Sequence, residues 1–277
     1  MSRDSINHMS CYTYKEYDLG QGSLDPSVDC TYVMVMEDSS RIEQIYEQVL
    51  AAGLTGKVIF QVNKGYKKCH KKGLQALKPN YDLVDANKAA FQHALNRGFK
   101  RILLLEDDCE FDSRVHDPEI IDDLNIFLVR KDPCIYNLGP VFGFCSPLDV
   151  LARRKHQLML YTTHNHAVIF NDVCMKRLLE RNYIWGHTDV ELNRHLSKYT
   201  YHKPLAYQKI DLNTENMRHG WGSGWRRFAD VVLVKPTGVD KNVQPGFDRF
   251  KNTCDILSVL IFLIIVIKVT THFINRK

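Results

Sequence analysis

Apolar and polar positions alternate along this chain in units whose period switches between that of a strand and that of a helix. Thr31 to Met36 (Thr-Tyr-Val-Met-Val-Met) predicts a first buried strand, ended by the polar run Glu37-Asp38-Ser39-Ser40. Ile42, Ile45, Val49 and Leu50 then recur at helical spacing, with Ser39 or Ser40 as the cap and Gly53 as the stop. Lys57 to Val62 predicts a second strand. Past a polar stretch, Ala89, Ala90, His93, Ala94 and Leu95 mark a helix that opens after Asp85 and stops at Gly98. Ile102 to Leu105 follows without a polar break, as expected of a strand covered on both faces. Such alternation predicts an α/β fold, a Rossmann-like sheet flanked by helices.

The second half is more mixed. Ile120 to Leu128 predicts a helix, Cys134 to Val141 a strand and turn, and Leu158 to Thr162 and His166 to Phe170 two more strands. Asn171 or Asp172 caps a helix through Met175, Leu178 and Leu179, and another opens at Gly186 to Leu192. Residues 204–211 return as a strand, before a glycine–tryptophan loop from Arg218 to Arg227. Residues 1–30, polar and tyrosine-dotted with Gly20, Gly22 and Pro26, read as an irregular extension. Residues 31–250 then form one catalytic-sized domain, and 251–277 stand apart.

That tail is almost wholly aliphatic from Ile256 to Ile267, and apolar character resumes after Lys268 through Ile274. As a helix, 256–274 reaches about 28 Å, close to a bilayer's hydrocarbon core. Lys268 is near enough to the end to snorkel. The tail therefore reads as a C-terminal membrane anchor, with the domain on the cytosolic side; a buried core helix or an interfacial segment is the alternative, since the uninterrupted run is only 12 residues. Cys254, just ahead of it, reads as an unmodified thiol, with palmitoylation as the alternative.

Composition changes little. A hydrophobic content of 44% is that of an ordinary globular protein, and a net charge of +5 does not demand a nucleic-acid partner. The lysine-rich segment Asn63 to Lys78 reads as a solvated loop, a diphosphate or membrane contact being the alternative. Eight cysteines without Cys-x-x-Cys spacing read as mostly buried, reduced thiols. No signal-peptide pattern opens the chain, and no Asn-x-Ser/Thr sequon occurs, which fits the cytosolic placement.

The chemistry concentrates where the strand Ile102 to Leu105 meets Glu106-Asp107-Asp108. Adjacent carboxylates repel and are costly to bury, so they belong at the strand's carboxyl end, where open α/β sheets bind ligands. Oxygen ligands suit Mn2+ or Mg2+, and such an ion suits a substrate that carries phosphates.

Several pieces in order resemble glycosyltransferase family 25. They are Met34-Val35-Met36 followed by Arg41, the helix with Phe91-Gln92-His93-Ala94, and the Leu-Glu-Asp-Asp strand end. His166 to Asn171 before an apolar helix, Asp189, Lys203 to Gln208 and Thr214-Glu215-Asn216 add to the series. That family includes lipopolysaccharide and collagen galactosyltransferases, and the pattern is closest to its large-DNA-virus branch. The resemblance spans roughly 31–225. It implies a GT-A fold, a nucleotide-sugar donor, a UDP-sugar in the first instance, and a glycan or glycoprotein acceptor. It also implies an Asp-x-Asp-like motif holding Mn2+ against the diphosphate, represented here by Glu106-Asp107-Asp108. Asp108 is then the metal ligand, with Glu106 or Asp107 facing the ribose or a metal-bound water. Arg41 joins them on the donor side.

An inverting transferase needs one base to deprotonate the acceptor hydroxyl. Asp189 is the candidate, with Glu191 in reserve; capping of its own helix is the plain alternative for Asp189. His219 is a candidate third metal ligand, and Trp221 a candidate platform for a sugar ring. Two other functions share these features: a nucleotidyltransferase, and an inactive membrane-tethered binding protein that keeps the fold.

Overall fold

The computed structural model describes residues 11–71, 73–140, 142–163, 165–181, 188–194, 197–208, 235–239 and 243–275. The strands are β1 (Tyr12–Asp18), β2 (Cys30–Met36), β3 (Lys57–Asn63), β4 (Arg101–Glu106), β5 (Cys109–Phe111), β6 (Ile135–Asn137), β7 (Phe142–Cys145), β8 (His156–Thr163), β9 (Ala167–Asn171), β10 (Lys198–Tyr201) and β11 (Ala206–Gln208). The helices are α1 (Ile42–Ala52), α2 (Pro79–Asn96), α3 (Pro118–Lys131), α4 (Pro147–Leu151), α5 (Asp172–Leu179), α6 (Thr188–Asn193) and α7 (Val243–Ile274). Among the described residues, one mixed sheet runs in the order β1-β3-β2-β4-β9-β6-β10-β8-β7, and β5 pairs with β11 in a separate ribbon. The protein is thus a mixed α/β fold with helices on its large sheet and an apolar C-terminal helix.

Side-chain alternation along β4 shows why its apolar run is unbroken. Leu103 and Leu105 enter one core with Val33, Val35, Ile45, Val49, Leu124 and Leu128, under α1 and α3. Ile102 and Leu104 enter a second core with Tyr32, Met34, Phe91, Phe170, Met175 and Leu178, under α2 and α5. Both faces are covered, so both sets of positions must be apolar. Burying each such side chain stabilises the fold by about 1.5–3 kcal/mol.

Local chemistry sets the boundaries. Gly53 takes the left-handed conformation (φ 54°) that ends α1. The Asn171 side chain accepts a hydrogen bond from the Cys174 amide at 2.8 Å and caps α5. At α1 the cap position falls on Arg41, and its backbone N–H donates to Ser39 Oγ at 3.2 Å.

The expected irregular extension contains β1. It pairs antiparallel with β3 from Tyr12↔Asn63 to Asp18↔Lys57 and forms the sheet edge. Tyr12 and Tyr14 pack on the second core and Tyr17 on the first, which makes this segment part of the domain. β2, β3 and β4 are parallel, but β9 enters antiparallel between β4 and β6.

The lysine-rich segment is not uniformly solvated. The Lys71 ammonium is buried, donating to Asp82 Oδ1 (2.5 Å), Tyr12 OH (2.6 Å) and Asn63 Oδ1 (2.9 Å). Cys69 forms a disulfide with Cys11 at the start of β1, so two links tie the segment to the sheet edge. The other six cysteines are buried thiols, Cys254 among them. A structural disulfide suits an oxidising compartment, in contrast to the cytosolic placement expected from the sequence.

Candidate active site

The parallel pairing of β2 with β4 (Met34↔Glu106) puts the ends of both strands side by side, and α1 follows β2 after residues 37–41. Glu106, the last residue of β4, donates its backbone N–H to the His166 carbonyl (2.9 Å) at the start of β9. Asp107 accepts a hydrogen bond from Ser39 Oγ at 2.7 Å, and Arg41 Nη1 lies 3.6 Å from its Oδ1. The same guanidinium is 4.0 Å from Asp108 Oδ2. Asp108 Oδ2 also accepts from Gln208 Nε2 (3.0 Å) on β11.

β11 reaches this position because Gly139 lets it pass close over the end of β6. A Cβ at Gly139 would lie 1.7 Å from the Ala206 carbonyl oxygen, so no larger residue fits. Leu205 N–H to the Leu138 carbonyl (2.7 Å) fixes the crossing.

Asp189 comes from the first turn of α6 and is half-buried. Asn165 Nδ2 donates to its Oδ1, and Asn165 Oδ1 in turn accepts from Asn137 Nδ2 at 3.1 Å. Asn137 Oδ1 accepts the Gly139 N–H at 2.9 Å. A chain of amides therefore links the end of β6 to the carboxylate on α6. Glu191, two residues on, is buried and paired with Arg194 (3.3 Å) and Arg181 (3.8 Å), so its carboxylate is already engaged.

Crowding is visible in the acidities. Burial, then the charges of Asp108, Asp189 and Asp107, hold the Glu106 carboxyl well above its ordinary pKa. Burial also raises Asp108, against the lowering effect of the Gln208 hydrogen bond, with Asp107 adding to the rise and Arg41 opposing it. Glu106, Asp107, Asp108 and Asp189 thus form one anionic group, with Arg41 as the cation beside it. A half-buried, crowded cluster of this kind is stabilised by protons or by a bound cation.

Among the described residues no three His, Cys, Asp or Glu side chains are grouped as metal ligands. Mg2+-type ions, however, are commonly held by one or two carboxylates plus substrate phosphates rather than by a full protein cage. Asp108 Oδ1 fits that role: it is buried and has no hydrogen-bond partner among the described residues. The donor set is hard oxygen, as such a cation prefers. His219 and Trp221 lie outside the described residues, as do Thr214-Glu215-Asn216 and the rest of the glycine–tryptophan loop.

The structure also brings in residues to which sequence reasoning gave no role here: Asn165, Asn137 and, as a partner of Asp107, Ser39. Polar side chains at strand ends are their only local signal, and they share it with many residues of ordinary turns.

No family model matches the chain, and no curated protein matches it. Among solved structures it is similar to A197 from STIV, at 9% identity and a TM-score of 0.40, over 66% of this chain and 85% of that one. It is similar to a glycosyltransferase involved in the glycosylation of the major capsid of PBCV-1, at 9% identity and a TM-score of 0.40, over 69% of this chain and 98% of that one. HddC from Yersinia pseudotuberculosis matches at 12% identity and a TM-score of 0.33, over 71% of this chain and 80% of that one. At such distances the side chains, and not the likeness, carry the functional reading.

Proposed function

We propose that the protein is a metal-dependent glycosyltransferase of GT-A type, moving a hexose from a nucleotide-sugar donor, in the first instance a UDP-sugar, to an acceptor hydroxyl with inversion. The observation that carries this reading is the half-buried carboxylate group at the end of β4, with a buried, unpartnered Asp108 oxygen, Arg41 beside it and Asp189 close enough to act on Glu106. A carboxylate cluster on β4 joined by a carboxylate from α6 suits a reaction that needs charge neutralised at the leaving group and a base at the acceptor.

In this reading Asp108, with Glu106, holds Mn2+ or Mg2+, which when bound supplies Lewis-acid neutralisation of the departing diphosphate. Arg41 adds a guanidinium suited to a phosphate oxygen. Ser39 and Arg41 fix the Asp107 carboxylate, leaving it to orient the donor's ribose or a water. Asp189 takes the proton from the acceptor hydroxyl, held in aim by Asn165. Glu191, neutralised by Arg181 and Arg194, stabilises α6 and takes no part in proton transfer. The acceptor is a glycan or glycoprotein.

The test is donor hydrolysis and transfer over a panel of sugar nucleotides with and without Mn2+, in the native protein and in Asp108→Asn. The expected result is metal-dependent turnover that falls by at least about a hundredfold in the variant, the scale of losing one charge-stabilising group. Native protein that neither binds nor turns over any sugar nucleotide refutes the reading and leaves a binding protein. Nucleotide transfer without sugar transfer points instead to a nucleotidyltransferase.

A further inference from the structure

α7 does not leave the domain through a linker. Its first turns are part of the core: Phe247, Phe250 and Cys254 pack with Tyr207 and Val239, and Asp248 pairs with Arg114 through two hydrogen bonds. One turn on, Lys251 Nζ donates to Gln157 Oε1 (2.7 Å) on β8 and to Asp255, and the Cys145 thiol at the end of β7 hydrogen-bonds Asp255. The buried face continues through Ser258, already inside the aliphatic run. α7 packs on β7 and α4, and α4 begins two residues after β7 ends. The helix therefore advances past the end of β7 toward α4 as it becomes apolar on all sides.

α4 and the turn after it have an unusual surface for that position. Leu148 is 64% exposed and Leu151 59%, and Arg153, Arg154 and Lys155 follow directly, all exposed. Beside them is a cleft of about 540 Å³ lined by Phe127, Lys131, Leu148, Arg154, Lys155 and Tyr199. Arg154 is paired with Asp149 (3.0 Å) and Lys155 approaches Asp123 (3.7 Å), so Lys131, Arg153, Arg154 and Lys155 face two carboxylates and the patch keeps a positive excess. Exposed leucines next to a cationic turn, beside the first apolar turns of a membrane-length helix, match the composition of an interfacial contact.

We infer that α4 and the 153–155 turn form a second membrane contact, Leu148 and Leu151 dipping into the bilayer surface and the basic residues meeting anionic headgroups. The domain is then held on the membrane in one orientation by two contacts rather than hung from a single helix. Snorkelling arginine and lysine stems cover the apolar boundary while their charges stay in the headgroup layer.

Full-length protein reconstituted in vesicles tests this. An environment-sensitive fluorophore is placed singly through Leu148→Cys, Leu151→Cys, Leu77→Cys and Ile264→Cys, and its quenching by lipids carrying a nitroxide near the headgroup or along the chain is measured. Ile264 reports insertion of α7, and Leu77, 73% exposed on the segment before α2, reports plain solvent. The expected result in phosphatidylserine-containing vesicles is strong quenching at 148 and 151 by the shallow nitroxide and none at 77. In phosphatidylcholine alone, and in the triple variant Arg153→Glu, Arg154→Glu, Lys155→Glu, quenching at 148 falls. At about fivefold per cation at an anionic surface, loss of the three cations alone lowers the docked-to-undocked ratio roughly a hundredfold, and the three added carboxylates lower it further. Quenching at 264 without quenching at 148 and 151 overturns the second contact while leaving the anchor in place. Labels at 148 and 151 that are shielded from water but not quenched by lipid mean that protein covers the patch, which also overturns it. Failure at 264 removes the anchor itself and the proposal with it.

Discussion

At the scale of single residues, the candidate site divides into what the chain writes contiguously and what folding brings together. Glu106, Asp107 and Asp108 stand in a row after an apolar run, so their place at a strand end was legible from burial cost alone. Arg41 and Asp189 were legible only through a family resemblance. Asn165, Ser39 and Asn137 were not legible as site residues, because their partners lie 24 to 68 residues away and an isolated Asn or Ser before an element reads as a cap. The amide chain from Asn137 through Asn165 to Asp189 yields a specific expectation. Asp189→Asn abolishes transfer and leaves donor binding intact, whereas Asn165→Ala lowers kcat by about 10–100-fold with the donor KM unchanged. Adding Asn165→Ala to Asp189→Asn then costs nothing further, because Asn165 acts only through that carboxylate. Additive losses in the double variant would assign Asn165 to packing instead.

At the scale of elements, the apolar period was sufficient to find α1, α2, α3, α5 and the strands β2, β3 and β4. Among helix starts, capping placed only that of α5: α1 is capped at Arg41 without a side-chain bond, and α2 begins at Pro79, ahead of the start after Asp85 that the sequence suggests. β1 was missed because its glycine- and proline-containing neighbourhood looked irregular, although Tyr12, Tyr14 and Tyr17 are what the sheet edge uses. The antiparallel entry of β9 was unreadable, since strand direction is set by which neighbours pair and not by a strand's own composition. β10 carries a polar surprise. Lys198 is a buried residue whose Nζ donates to Asn193 Oδ1 at 2.8 Å, and burial lowers its pKa from 10.5 to about 8. A lysine whose folded pKa is depressed costs stability in full below about pH 8, and the cost is relieved as the pH rises toward 10.5. Lys198→Met is therefore expected to melt higher than the native protein at pH 7, with the difference shrinking by pH 10. Thermal unfolding at the two pH values checks it. A difference that does not change with pH would mean that the amine is not desolvated in the folded state.

At the scale of the whole molecule, the tail was legible as an apolar segment but not as a part of the domain. The sequence suggests a boundary near residue 251, yet α7 runs from Val243 without a break after its non-helical Gln244–Pro245 step, and its first half supplies Phe247, Phe250 and Cys254 to a core with Tyr207. The reason is that a core-facing stripe at helical spacing and an all-round apolar span follow one another in a single helix, and periodicity fades gradually between them. The segment Gln244–Ile274 is long and apolar enough to cross a membrane, and little of its most apolar stretch is buried in the protein. Two truncations separate the roles. Ending the chain after Phe262 removes none of the buried residues of the described helix, so the domain is expected to become soluble and to keep its melting temperature, while the full-length protein stays with the membrane after carbonate extraction. Ending it after Asn242 also removes Phe247, Phe250 and the Lys251–Asp255 pair, strips Arg114 of Asp248, and uncovers Tyr207 beside the β11 strand that carries Gln208 to Asp108. Loss of two buried aromatics at about 3–5 kcal/mol each consumes most of a typical domain's margin, so this shorter chain is expected to be unfolded or inactive even in detergent. A shorter chain that folds with an unchanged melting temperature would show that the helix is only an anchor, and that the active site does not depend on it.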